Sequence, residues 1–235
     1  MASSLTSTAA PAGAAGLGAL LLADGRLPVG GLVYSAGLEP GLADGMTQAD
    51  VPRYLRARLR TVGLVDAAAS VLAHRAATSD AGFGLDDVQE ALAARTPSAP
   101  LRDVQGVLGR GLARLGERLR PDHPATVALR ALGRAPLRPV ALGCVAAALG
   151  VDAEATARAS LYDDAQAVAS AALKLEPGDP ADAAAWVLAA EPDVAALVRA
   201  AVAVPHPDDL PATTAPQAEG WSLTHQHRTR RIFVA

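Results

Sequence analysis

The side chains with the most chemical potential crowd into one stretch, AEGWSLTHQHRTRRIFVA, where Trp221, His225, His227, Arg228, Arg230, Arg231 and Phe233 fall within a few turns. His225-x-His227 offers two imidazoles, but no cysteine or carboxylate stands near enough to close a coordination shell around a metal. As a nucleic-acid tail the segment is basic and aromatic, yet it is short and belongs to an acidic chain. As a partner-binding segment it carries the residue types, Trp, Arg and Phe, that dominate interface energetics. Asp163 and Asp164 are the other candidates for acid/base chemistry. As neighbours on a helix they point to different faces, which fits solvated charges better than a paired-carboxylate site.

The remaining reactive groups exclude more than they suggest. Lys174 is the sole lysine, and no glycine-rich loop precedes it, so a Walker-type phosphate site is ruled out. The single cysteine, Cys144, cannot form an internal disulfide and lies in an apolar run where a buried, inert thiol is expected. A net charge of -3 and a pI near 5.9 argue against a general nucleic-acid binder. The longest apolar run, Pro139 to Val151, falls short of the roughly 20 residues that a membrane span requires. No basic residue precedes Arg26, so the start lacks the pattern of a secretory signal. The expectation is a soluble, cytoplasmic protein.

The elements that must position these groups read as helices. Hydrophobic residues make up 51% of the 235 positions and aromatics only 3%; Ala and Leu, strong helix formers, supply much of the apolar content. Residues 1–15 read as a disordered lead-in, followed by a short helix to about Ala23. Thr47-x-x-Asp50 resembles a capping box. It opens a long amphipathic helix to about Ala77, bent at Gly63, with Arg53, Arg56, Arg58 and Arg60 on a solvated outer face. Further helices are expected over 85–94, 100–120, 125–132, 140–149, 153–175 and, split at Glu191-Pro192, over 182–203. The helix over 140–149 is apolar all round and therefore central. Gly106, Gly109, Gly111 and Gly116 within one helix imply a close neighbour, since each costs about 1 kcal/mol relative to alanine. Asp152 reads as an N-cap and Trp186 as a core residue. Pro205 to Pro216 reads as an extended linker.

The stretch from Leu20 to Gly45, LLLADGRLPVGGLVYSAGLEPGLADG, has its own backbone chemistry. Pro28 fixes φ, and the Gly30-Gly31 pair reaches conformations closed to other residues, so this is a shaped corner between two short helices. It resembles the N-terminal signature of the urease accessory protein family UreF, through Leu22, Ala23, Asp24, Leu27, Pro28, Gly30, Gly31, Ser35, Gly37, Leu38 and Glu39. Where that family places an aromatic after the glycine pair, this chain has Leu32, with Tyr34 two positions on. The tail is similar as well, through His225, Arg231, Ile232 and Phe233, with Gln226 where the family has glutamate.

The resemblance implies an all-α, single-domain bundle of roughly eight to ten helices over residues 16–204, with extended terminal segments and a partner-binding tail over 205–235. It implies a homodimer that binds UreD (UreH in some systems) and recruits the GTPase UreG to the urease apoprotein for nickel insertion. That is a non-enzymatic scaffold with no cofactor of its own. The partner-binding residues implied are Pro28, Gly30, Gly31, Tyr34, Ser35, Gly37, Leu38, Glu39, His225, Arg231 and Phe233, and the expectation is that at least one of the corner and the tail orders only on contact with UreD. Two alternatives stay open at this point: a small helical enzyme using His225 or Asp163/Asp164, and a His-dependent nickel carrier.

Overall fold

A computed structural model of the chain describes residues 12–25, 27, 34–79, 81–229 and 231–233. Among the described residues there is helix and no strand. The helices are α1 (Ala12–Leu22), α2 (Leu38–Ala43), α3 (Val51–Arg58), α4 (Leu64–Thr78), α5 (Leu85–Ala94) and α6 (Ala99–Leu119). They continue with α7 (Pro124–Ala131), α8 (Arg138–Ala148), α9 (Ala153–Leu175), α10 (Pro180–Ala189), α11 (Glu191–Ala203) and α12 (Pro216–His225). Short 3₁₀ turns cover Gln48–Asp50 and Pro207–Asp209.

Local sequence sets most of the boundaries. The Asp152 carboxylate accepts the Ala155 amide at 2.7 Å and starts α9, and Asp179 accepts that of Ala181 at 2.8 Å to start α10. The Thr47–Asp50 box is present, with Asp50 Oδ2 accepting both the Thr47 amide and its hydroxyl. The predicted bend at Gly63 is a π-turn, Leu59–Gly63, that joins α3 to α4 as one rod. Inside it Thr61 returns its hydroxyl to the Ala57 carbonyl at 2.9 Å. Helix α1 begins at Ala12, inside the stretch that reads as a disordered lead-in.

Helices α4 and α8 form the centre, with α9 and α11 packed on α4, and α6 and α7 on α8. Residues 65–73 of α4 and 139–148 of α8 are buried without a break. The two backbones nearly touch: a Cβ on Gly143 would run into the carbonyl of Ser70 and the amide of His74. On α6, a Cβ at Gly109 would strike the Pro136 carbonyl, so the glycine row does face a close neighbour there.

Three expectations about side chains change. Arg58 lies 5% exposed, not on the solvated arginine face, because it follows Val51 and Leu55 at helical spacing on the buried side of α3. Asp164 is buried at 9%, paired with Arg58 across 106 residues of sequence, and is not a solvated charge. Trp186 is half-buried at the rim of the core. The 205–216 segment is largely extended, but it is strapped down. Pro207 and Leu210 are buried, Arg95 donates to the Asp208 and Leu210 carbonyls, and Arg75 holds the preceding Val202 and Val204 carbonyls.

Candidate functional site

Tail and corner meet. Ser35, Ala36 and Gly37 lead into α2 with Ala36 at φ 54° and Gly37 at φ 82°, both left-handed. The Tyr54 hydroxyl fixes that turn by donating to the Ala36 carbonyl at 2.6 Å, and a side chain on Gly37 would collide with the same hydroxyl. Leu38 beside it is fully buried, as is Ser35, whose hydroxyl lies 3.4 Å from the Glu39 amide. The turn aims the Glu39 carboxylate at the far end of the chain. Oε1 accepts the Ile232 amide at 2.7 Å and Oε2 the Phe233 amide at 2.9 Å. Charge-assisted bonds of this kind are about twice as strong as neutral ones.

Helix α12 delivers the tail to that point. Its indole, Trp221, donates to Asp44 Oδ2 at 2.8 Å and packs on Gly41 and, tilted, on the Tyr54 ring. Ser222 meets Ser98 hydroxyl to hydroxyl at 2.6 Å, tying α12 to the start of α6. His225 is 1% exposed; its Nε2 lies 3.2 Å from the Phe233 carbonyl and 3.4 Å from Glu39 Oε2. The Phe233 ring is buried under the Lys174 ammonium at 5.3 Å. Arg231 and Ile232 stay exposed at the outer edge, and His227 is exposed as well. His225 and His227 therefore do not converge on a common ligand.

Behind this junction lies a buried ionic cluster. Arg58 Nε donates to Asp164 Oδ1 at 2.9 Å, and its Nη2 reaches the Tyr34 hydroxyl at 2.9 Å. Arg138 on α8 pairs with Asp163 at 2.6 Å, so the two adjacent aspartates serve two different arginines. Asp66 on α4 is the fifth charged group, met by Gln105 Nε2 at 3.4 Å. Burial first, and then the nearby Asp164, pushes the Asp66 carboxyl up to about 7, against the opposing pull of Arg58 and Arg138. These groups line a cavity of about 80 Å³, walled also by Leu27 and Tyr34 of the corner and Phe233 of the tail. That is room for a few waters. Asp164 Oδ2 and Gln105 Oε1 are buried with no protein donor among the described residues.

Among the described residues no three His, Cys, Asp or Glu side chains are placed to hold a metal ion. Burial pushes the Cys144 thiol up to about 12, which makes it a poor nucleophile.

The UreF family model matches residues 46–191, more than half of the chain. The urease accessory protein UreF of Mycobacterium sp. (strain JLS) is 36% identical over 221 residues, covering 92% of this chain and 97% of its own. The namesake in Mycolicibacterium vanbaalenii is 37% identical over 179 residues, 74% of this chain and 79% of that one. In Mycobacterium tuberculosis (strain H37Rv) the figure is 31% over 218 residues, 92% and 97%. The chain belongs to the UreF family.

Of the residues that the UreF resemblance singles out, Tyr34, Ser35, Gly37, Leu38, Glu39, His225, Arg231 and Phe233 gather at one junction. Pro28, Gly30 and Gly31 lie outside the described residues. Sequence reasoning on this UreF chain missed Trp221 and Asp44 as the pin beneath α12, and Arg58, Asp66 and Arg138 as the cluster behind it. The available signal was Asp66 itself, a lone carboxylate in the apolar run Leu64-Val65-Asp66-Ala67-Ala68-Ala69.

Proposed function

We propose that this UreF chain is a non-enzymatic, cytoplasmic scaffold of urease maturation, which with UreD/UreH recruits the GTPase UreG to apo-urease so that nickel, as cargo, is inserted. The observation that carries this reading is the double capture of the Ile232 and Phe233 amides by Glu39. It joins the two terminal segments into one composite surface that presents Arg231 and Ile232 outward. An exposed guanidinium and an isoleucine on a fixed backbone are suited to a partner polypeptide, and the His225–Glu39 pair beside them is buried and occupied by the tail backbone. Arg231 is the direct contact in this reading, while His225 and Phe233 hold the surface from beneath and residues 34–39 form its other half. Size-exclusion chromatography of the chain with UreD/UreH, then with UreG added, tests it. Wild type should co-elute, and Arg231→Ala should weaken assembly by about 2 kcal/mol or more. Unchanged co-elution of Arg231→Ala would refute the role given to the tail.

The homodimer in this proposal is supported by a groove of about 870 Å³ between α1, α9 and α10. Leu20 and Leu188 on its walls are 70% and 75% exposed, Leu17 beside them 71%, and Tyr162 lies on its floor. Arg158 is paired with Glu154 and Glu191 on the same patch, so the patch carries both signs of charge and does not repel its own copy. Leu20→Asp with Leu188→Asp should halve the mass seen by light scattering. An unchanged mass would place the dimer contact elsewhere.

A further inference from the structure

The exposed arginines of α3 remain unused by the junction described above. Arg53, Arg56 and Arg60 stand three and four residues apart, on one stripe of the α3–π rod. Between that stripe and the end of α10 lies an open groove of about 590 Å³, floored by Pro52 and Ala57 and walled by Trp186 and Ala189.

The guanidinium groups are held in place over it. Asp193 on α11 takes Arg60 at 2.6 Å and Arg56 at 3.4 Å, and Arg56 also donates to the Ala189 carbonyl at 2.8 Å. Both arginines keep much of their surface open, 62% and 49%, while Asp193 is 16% exposed. Arg53, 86% exposed, is paired with Asp50 one turn back. Arg56 and Arg60, held by Asp193, and the open Arg53 face two carboxylates, Asp193 and Asp50, which leaves one positive charge in excess on a chain whose net charge is -3.

We propose that this groove binds an extended acidic segment of a partner polypeptide, with carboxylates on Arg53 and Arg56 and an apolar side chain laid on Trp186. Asp193 shows the stripe accepting a carboxylate already. Arg53 to Arg60 spans about 10 Å along the rod. An extended peptide covers that distance in about three residues, whereas a single small anion reaches only part of it. The floor is apolar and shallow, with no glycine-rich loop to wrap a phosphate. The Arg56 guanidinium pre-positioned by Asp193 and the half-buried Trp186 indole on the groove wall are the residue types that anchor protein interfaces.

The test is fluorescence anisotropy with a labelled Glu-Leu-Glu-Glu-Leu-Glu peptide, with the lysine analogue Lys-Leu-Lys-Lys-Leu-Lys and inorganic phosphate as controls. The expected result is saturable binding of the acidic peptide that weakens with salt. Arg53→Glu, at a site too exposed to disturb the fold, should weaken it about tenfold, and Trp186→Ala should do the same. Arg231→Ala should leave it unchanged, so that failure here and failure of the tail reading are separable. Absence of saturable binding, equal binding of the lysine analogue, displacement by phosphate, or indifference to Arg53→Glu would each overturn the proposal. Should Trp186→Ala not fold, Arg53→Glu alone decides.

Discussion

Glu39 and Phe233, 194 positions apart, are joined through backbone: the carboxylate of one accepts the amide of the other at 2.9 Å and that of Ile232 at 2.7 Å. A carboxylate held by two amides fixes the path of the chain rather than the identity of a side chain. Glu39→Ala should therefore free residues 226–233 while leaving the helical body intact. Hydrogen exchange followed by mass spectrometry should show the Ile232 and Phe233 amides losing protection. The local loss should be about 1.5–3 kcal/mol per charged bond, with little change in global stability. Undiminished protection would mean that Trp221 and Ser222 alone hold the tail.

Arg58 and Asp164 form a pair with side chains 5% and 10% exposed. Removing one member strands the other without water, so Arg58→Ala should cost about 3–5 kcal/mol in urea denaturation. Arg58→Met combined with Asp164→Leu should recover most of that, since neither charge is then left alone. A double variant as unstable as the single one would show that the Tyr34 contact matters more than the ion pair.

Asp66 makes stability depend on pH in a direction opposite to ordinary carboxylates. Its folded pKa of about 7 lies above the unfolded value near 4, so the folded chain holds a proton across that interval. The contribution is fully present below about pH 4 and is lost as pH rises through about 7, a swing on the order of 4 kcal/mol. Asp66→Asn should flatten this dependence, leaving the variant more stable than wild type at about pH 8 and similar to it at about pH 4. Denaturation curves that keep the wild-type slope in the variant would assign the proton to another group.

Cys144 should resist modification in the folded state. Burial both hides the thiol and pushes it up to about 12. A chromogenic disulfide reagent should then react only at the rate of global unfolding and stoichiometrically in denaturant. Rapid labelling of native protein would reveal an opening of α8.

What the sequence makes legible is local. Helix α9 begins and ends where its pattern and the Asp152 cap place it, and the Thr47–Asp50 box, the Glu191-Pro192 break and the apolar α8 all follow from short-range chemistry. What stays hidden is pairing across distance. Arg58 differs from Arg53, Arg56 and Arg60 in falling on the Val51–Leu55 stripe, but no spacing names the aspartate it meets. It is buried because it shares the inward face of α3 with Val51 and Leu55, opposite an aspartate 106 positions away. Glu39 enters through family resemblance, but its partners are main-chain amides, which leave no side-chain signature to read.

The near-contact of α4 with α8 has a bearing on how such chains drift. At Gly143 a single added methyl meets main chain of α4 that has nowhere to retreat. At that one point growth is forbidden, while the leucines and valines around it still carry the ordinary cost of shrinkage.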